Sequence, residues 1–357
     1  TNKVQGVDKY YGQNPAFVAP VFEQFGLEET LQFFKELGIY PKERNGGYYP
    51  QSEQATAIRD VLLMELKKQN VGVVCGCGIR GIEKTAKGFT FHTKGGDFYA
   101  TKCIMATGGK TLKKSGSDGS GFLYLESLGH HIIDLVPGLI GLKGKQSFFA
   151  DIAGIRADVK VDLYIESTHV CSEQGELQRT NYGISGIPVF QLSRIATRAL
   201  SEQKKVYATL NFVPFWEKEQ CLTYFKERFK KADEKHIGEA LIGFFPEKLI
   251  PVLLEESHIK AAKYANRLQT EELERFIDTV QGLRVDITDW NTFDTAQVTA
   301  GGVDTDEIDA ETMESKLCPG LYFAGELLDI DGPCGGYNLQ WAWATGYLAG
   351  KAAADTQ

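Results

Sequence analysis

A chain of 357 residues with 43% hydrophobic content can bury a sizeable core and predicts two or three domains rather than one. The formal net charge of −8 argues against a nucleic-acid-binding face, which needs clustered Lys and Arg. No apolar run approaches the roughly 18 residues that span a bilayer, Thr1 to Gly12 is too polar for a secretion signal, and seven cysteines without zinc spacing point to reduced thiols in a cytoplasmic protein.

In chain order, apolar positions at 22, 25, 27, 31, 34 and 37 predict a helix from Phe22 to Leu37. Ser52 is expected to cap a longer helix with Ala55, Ile58, Leu62 and Leu66 on one face. That helix leads into an apolar strand, VGVVC, at 71–75, and helix followed by strand is the rhythm of a parallel sheet. GCGIRG at 76–81 fits G-x-G-x-x-G literally, but a phosphate loop needs a helix after its glycines. The residues after it alternate at Phe89 and Phe91 and turn at Lys94-Gly95-Gly96, so a small β-meander is predicted instead. Cys75 and Cys77, at the strand end, share one side but have no His or Cys cluster beside them, which makes a redox or metal role the weaker reading.

Residues 103–109 read CIMATGG. Cys103 to Ala106 predict a short buried strand, and Thr107, Gly108 and Gly109 bend the chain where open α/β sheets bind ligands. Gly116, Gly119 and Gly121 then surround Ser117, Asp118 and Ser120 before a helix that ends at Leu128. His130 and His131 have the near-neutral pKa of an acid or base, although a His just past a helix end more often caps carbonyls.

From 141 the alternation becomes strand-like, as in VKVDLYIE (159–166) and KVYATLNFVP (205–214), predicting an inserted β-barrel-like domain over 141–215. A helical domain over 216–281 comes next, in which the basic run from Lys226 to Lys235 carries interspersed acids and reads as a solvated face. The segment 282–292, containing LRVDITD, returns the chain to its first domain, whose two parts are 1–140 and 293–357. NYGISG at 181–186 is either a turn before a helix over 189–200 or a loop pressed against a ligand.

Residues 321–346, LYFAGELLDIDGPCGGYNLQWAWATG, are the most informative stretch: an apolar strand, an acid-and-glycine loop and a helix. Gly325, Gly332, Gly335 and Gly336 allow close backbone approach to a flat, phosphate-bearing ligand. Glu326, Asp329 and Asp331 offer acceptors for sugar hydroxyls, and the helix start near Tyr337 and Asn338 favours a negative partner. Asn338 and Gln340 stand where they would stabilise charge on a ring edge, and Cys334 lies in the same loop. No G-x-S-x-G elbow, H-E-x-x-H helix or G-x-x-x-x-G-K-[ST] loop supports a hydrolase or a nucleotide triphosphatase.

ATGG followed more than two hundred residues later by AGE resembles the two-dinucleotide-binding flavoproteins of the glutathione-reductase type. The fold class expected is α/β, a Rossmann-type FAD-binding domain with inserted β-barrel-like and helical domains. NYGISGIPVFQLSR, VTAGGVDTDEID, TMESK and GLYFAGELLDIDGPCGGYNLQ occur in one order, and with them the whole chain resembles the bacterial NAD(P)/FAD-dependent oxidoreductases of the BaiN or YhiN family, also called aminoacetone oxidase family proteins. The resemblance implies an oxidoreductase with FAD as cofactor, NAD(P)H as electron donor and a small-molecule substrate. The reaction implied is enone reduction with NAD(P)H or amine oxidation with oxygen. The cofactor would be held by Thr107, Gly108, Gly109, Gly325, Glu326, Asp331, Gly335, Gly336, Tyr337, Asn338 and Gln340, with Glu326 on the ribityl chain; no acid–base residue stands out.

Two departures carry their own expectations. Leu112, Lys113 and Lys114 replace the family's usual lead-in to the Ser117 loop. Family members also open with a strand, a G-x-G-x-x-G turn and a GNGRCN-x-TN segment, of which Thr1-Asn2 resembles the end, so roughly fifty residues, the scale of a βαβ unit, are expected to be missing, with an exposed sheet edge and weak FAD binding. The alternatives are a flavin-dependent tRNA-modifying enzyme, which should show a basic face, and a non-catalytic remnant that no longer holds FAD.

Overall fold

The computed structural model describes residues 1–355, and its contacts divide the chain into two compact units. One comprises Thr1–Val136 with the segment from Gln297 onward, and the other is Pro137–Ala296.

In the second unit, six strands close into a barrel in the order Thr168–Arg179, Gly183–Gly186, Leu142–Gly144, Leu283–Trp290, Val206–Asn211 and Arg156–Ile165. Alternation builds it: Val159, Val161 and Leu163 face inward, as do Val206, Ala208 and Leu210, and Leu283, Val285 and Ile287. Closure leaves no unpaired edge in this sheet. Helices Ile187–Ser201, Lys218–Lys230, Ile237–Leu241, Leu249–Glu256 and Thr270–Gly282 add to the same core, where Phe225, Phe229, Phe245 and Phe276 pack ring against ring. One inward residue breaks the pattern. Arg179 is fully buried beside the Phe212 ring, 5.1 Å from its centroid, and its three guanidinium nitrogens have no hydrogen-bond partner. Burial lowers its pKa to about 10.

The first unit has smaller sheets. Cys103–Met105 runs parallel to Leu321–Phe323, Ile132–Gly138 pairs with Val298–Val303, and Ile79–Thr85, Gly88–Thr93 and Gly96–Ala100 form an antiparallel meander. That meander starts at Ile79, inside GCGIRG, where a phosphate loop would instead lead into a helix. Helices Val18–Gln24, Leu27–Glu36, Ala55–Lys68, Ser120–Ser127 and Tyr337–Asp355 complete the unit.

Three expected elements differ. The helix predicted over 22–37 is two helices broken at Gly26, whose N–H is taken by the Glu29 carboxylate at 2.9 Å. Ser52 does not cap the next helix: Gln54 is at its N-cap, and Ser52 Oγ only accepts a long 3.4 Å bond from the Gln54 N–H. The strand expected at 71–75 is absent, with Val71, Val73 and Val74 exposed, so the shared strand face expected for Cys75 and Cys77 is absent too. A strand forms only with a partner to satisfy its backbone, and among the described residues none lies beside VGVV. The preceding helix has no buried residue, and Ile104, on a strand with a single paired neighbour, is 42% exposed.

Candidate cofactor site

Two turns leave the carboxyl ends of adjacent parallel strands, 106–109 after Cys103–Met105 and 324–327 after Leu321–Phe323. The Ala324 N–H donates to the Met105 carbonyl at 3.0 Å, so the turns begin side by side. Gly108 (φ +69°) and Gly325 (φ +75°) take left-handed backbone that favours glycine. A Cβ on Gly109 would stand 2.2 Å from Thr299 Oγ1 and 2.8 Å from Glu326 Oε1. Ser117 Oγ donates to the Gly109 carbonyl at 3.0 Å, bringing the glycine-and-hydroxyl loop against the same turn.

Glu326 joins these pieces. Its carboxylate accepts from the Thr299 N–H at 2.6 Å, and the nearby hydroxyls of Thr299 and Thr111 and the Gly109 N–H favour its ionised form. Thr299 Oγ1 in turn accepts from the Lys110 N–H at 2.7 Å. Burial raises the pKa of Glu326 above the ordinary carboxyl value, against the opposing pull of those donors. The long helix is locked over this turn: the Gly325 N–H donates to Thr345 Oγ1 at 2.8 Å, and Trp341 Nε1 donates to the Gly325 carbonyl at 3.1 Å.

A second cluster forms at the start of that helix. Gly335 (φ +120°) and Gly336 (φ +93°) let the chain pass Thr1 and Asn2; a Cβ on Gly336 would lie 2.9 Å from the Thr1 backbone. Asn338 clasps Gly332, accepting its N–H and donating to its carbonyl, each at 2.8 Å. Tyr337 is buried and its carbonyl accepts from the Tyr10 hydroxyl at 3.1 Å. Asp331 is buried and exchanges backbone bonds with Tyr11, while Asp329 Oδ2 accepts the Gln13 N–H at 2.8 Å. Gln340 lies fully buried: its amide donates to Thr30 Oγ1 and the Gly26 carbonyl, and its oxygen accepts from Thr1 Oγ1. Its polar atoms serve the core. A cavity of about 1070 Å³ borders Gly335, Gly336, Leu339 and Trp343 and reaches Arg44 and Arg59.

Thr107 is exposed at the mouth of its turn. The burial of Cys334 pushes its thiol up to about 11, so it stays protonated at neutral pH. His130 neither caps a helix nor faces solvent. Its Nδ1 lies 2.7 Å from Glu307 Oε2 and its Nε2 2.9 Å from Ser315 Oγ. Ser315 Oγ already accepts from the Leu317 and Cys318 N–H groups, so its own proton goes to Nε2 and the imidazole proton sits on Nδ1. This buried tie joins TMESK to the end of helix Ser120–Ser127. Reasoning from the sequence missed Thr299, Thr111 and Thr345 as partners of the two turns; Thr299 was signalled only by its place in VTAGGV. Among the described residues no group of three or more His, Cys, Asp or Glu is arranged to hold a metal, and no helix is long and apolar enough to cross a membrane.

The model of the HI0933-like protein Rossmann domain matches residues 1–352. The chain belongs to that family. Within it, the chain is 44% identical over 355 residues to a 3-dehydro-bile acid delta(4,6)-reductase of Clostridium scindens, an alignment spanning 99% of this chain and 87% of that protein. It is 27% identical to the ribosomal RNA dihydrouridine synthases of Escherichia coli and Haemophilus influenzae, over 96% and 95% of this chain and 83% and 82% of theirs. The Rossmann fold and the likeness to a reductase mark this family member as an oxidoreductase acting on an organic substrate.

Proposed function

We propose that this chain is an FAD-dependent reductase that saturates a carbon–carbon double bond conjugated to a carbonyl in a small apolar substrate, with NAD(P)H as electron donor. The observation that carries the reading is the meeting of the ATGG and AGE turns at the ends of neighbouring parallel strands, where such sheets bind nucleotides. The residues fit the cofactor. Glycines at 108, 325, 335 and 336 have the backbone needed for close approach, and the first-turn N–H groups of the helix from Tyr337 have no acceptor within it. When bound, FAD would take a hydride from NAD(P)H and pass it to the substrate. The helix start favours the negative edge of the reduced ring, and the side chains around Glu326 hold the turn.

The reductase name of the 44% relative favours enone reduction over amine oxidation, and seven free thiols fit a cytoplasmic setting. An RNA substrate is the second reading, since dihydrouridine is uridine reduced by the same chemistry and two relatives at 27% carry that name; the charge of −8 counts against it. The test is the visible spectrum of the purified protein followed by NAD(P)H oxidation with a 3-oxo-Δ4,6 steroid acid or an rRNA fragment, and by oxygen uptake with an amine. Flavin bands near about 375 and 450 nm and turnover of the steroid acid are expected. A colourless protein that binds no added FAD sinks the flavin reading, while turnover of RNA alone moves the substrate to uridine.

A further inference from the structure

We infer that the cavity beside Gly335 and Gly336 binds a small-molecule carboxylic acid with a rigid apolar body, its acid group held by Arg44 and Arg59. The inference rests on the reductase reading only in taking this occupant to be the substrate, since a steroid acid belongs to that class. The cavity lies wholly within the first unit and measures about 1070 Å³, at the upper end of the roughly 300–1,000 Å³ of pockets that take drug-sized ligands. Three helices give it apolar walls: Leu31 and Phe34 from Leu27–Glu36, Ile58 and Leu62 from Ala55–Lys68, and Leu339 and Trp343 from Tyr337–Asp355. Ile58 and Leu62 stand one turn apart, both half-buried, on a helix that buries no residue, so its apolar side faces the cavity rather than a packed core. The charges are one-sided. Lys42, Arg44 and Arg59 line the cavity against a single acid, Glu53. Lys42 and Arg44 share the Glu53 carboxylate at 2.8 Å and 3.4 Å, and Arg59 pairs at 2.6 Å with its neighbour Asp60, which is outside the lining. In a chain of net charge −8, a basic surplus beside apolar walls complements an anion with an apolar body. A guanidinium also offers a carboxylate two parallel N–H donors. Gly335 and Gly336, where the flavin reading sets the cofactor, border the same cavity.

The test titrates the protein with a 3-oxo-Δ4,6 steroid acid and with its methyl ester, following tryptophan fluorescence with and without FAD. Trp343 is the reporter, its ring 5.0 Å from that of Phe34 in the cavity wall. The acid should change the emission saturably, and the change should be lost in Trp343→Phe. Arg44→Ala combined with Arg59→Ala should weaken the acid about tenfold, the scale of two exposed ion pairs, and leave the ester at its wild-type affinity. Both arginines are mostly exposed, so the fold does not depend on them. Ile58→Trp, which fills the cavity from a helix with no buried residue, should weaken acid and ester alike. The inference is overturned if the acid does not bind, if the signal survives in Trp343→Phe, or if the double variant binds the acid as the wild type does. It is overturned equally if FAD displaces the acid competitively, which would give the cavity to the cofactor. Failure of the reductase reading shows separately: acid binding with this pattern, in a protein that binds no FAD or oxidises no NAD(P)H, sinks that reading and leaves the binding site standing.

Discussion

The two units hold themselves together by different physics. The unit from Pro137 to Ala296 is a closed sheet and a set of helices around one apolar cluster, built from alternating Val, Leu and Ile and stacked Phe rings. The other unit has an apolar cluster of its own, but the segments that matter for chemistry are tied by polar groups: Glu326 to Thr299 and Gly109, Trp341 and Thr345 to Gly325, Asn338 to Gly332, His130 to Glu307 and Ser315. Apolar packing is non-directional and gives bulk stability. Directional bonds hold glycine turns, which have no side chains to pack, in a single conformation.

Truncation of the barrel unit's core is expected to give the largest effect. Phe276 is fully buried against Phe225, Phe229 and Phe245, and Phe276→Ala should cost about 3–5 kcal/mol, read by calorimetry as a lowered transition. A loss below about 1 kcal/mol would show that apolar packing does not dominate there. The exception within that unit comes next. A buried cation without a partner costs more than an apolar side chain of its size, so Arg179→Met should stabilise the protein by about 1–4 kcal/mol in denaturant melts. Destabilisation would mean that Arg179 meets an anionic group in solution.

The smallest effect concerns Glu326 and pH. Its folded-state pKa is raised, so the protonated form is the one that folding favours. Its contribution to stability is complete below the ordinary carboxyl value and is lost as pH rises through the raised one. The stability of the wild type relative to Glu326→Gln should accordingly decline as pH rises above the ordinary carboxyl range. A difference independent of pH would show that the donors around Glu326 offset its burial, and one that rises with pH that they outweigh it.

Much of the architecture was legible. Period-two alternation located the strands at 159–166 and 205–214, the meander after GCGIRG and the return through LRVDITD, because each reflects a local two-faced environment. VGVVC failed for a non-local reason: apolar residues fit a strand, yet a strand also needs a neighbour with which to pair. The helix over 22–37 failed at Gly26, where the apolar spacing ran through a residue that breaks the backbone ladder. Among the candidate site residues the glycines were readable, since left-handed backbone leaves a mark on composition. The polar ones were not. Asn338 and Gln340 had the chemistry of ligand contacts, but the structure spends their amides on Gly332, Thr30 and Gly26.

By itself, then, the sequence determined the alternation that closes the barrel and the glycine turns at ATGG and AGE, which arise from local backbone and burial preferences, while the class of fold followed from the resemblance of its motifs to a known family. Only the tertiary structure brought the acid in AGE against Thr299. Thr299 and Glu326 are far apart in the chain, and the Thr299 N–H donates to the Glu326 carboxylate at 2.6 Å because the fold sets strand Val298–Val303 beside the AGE turn.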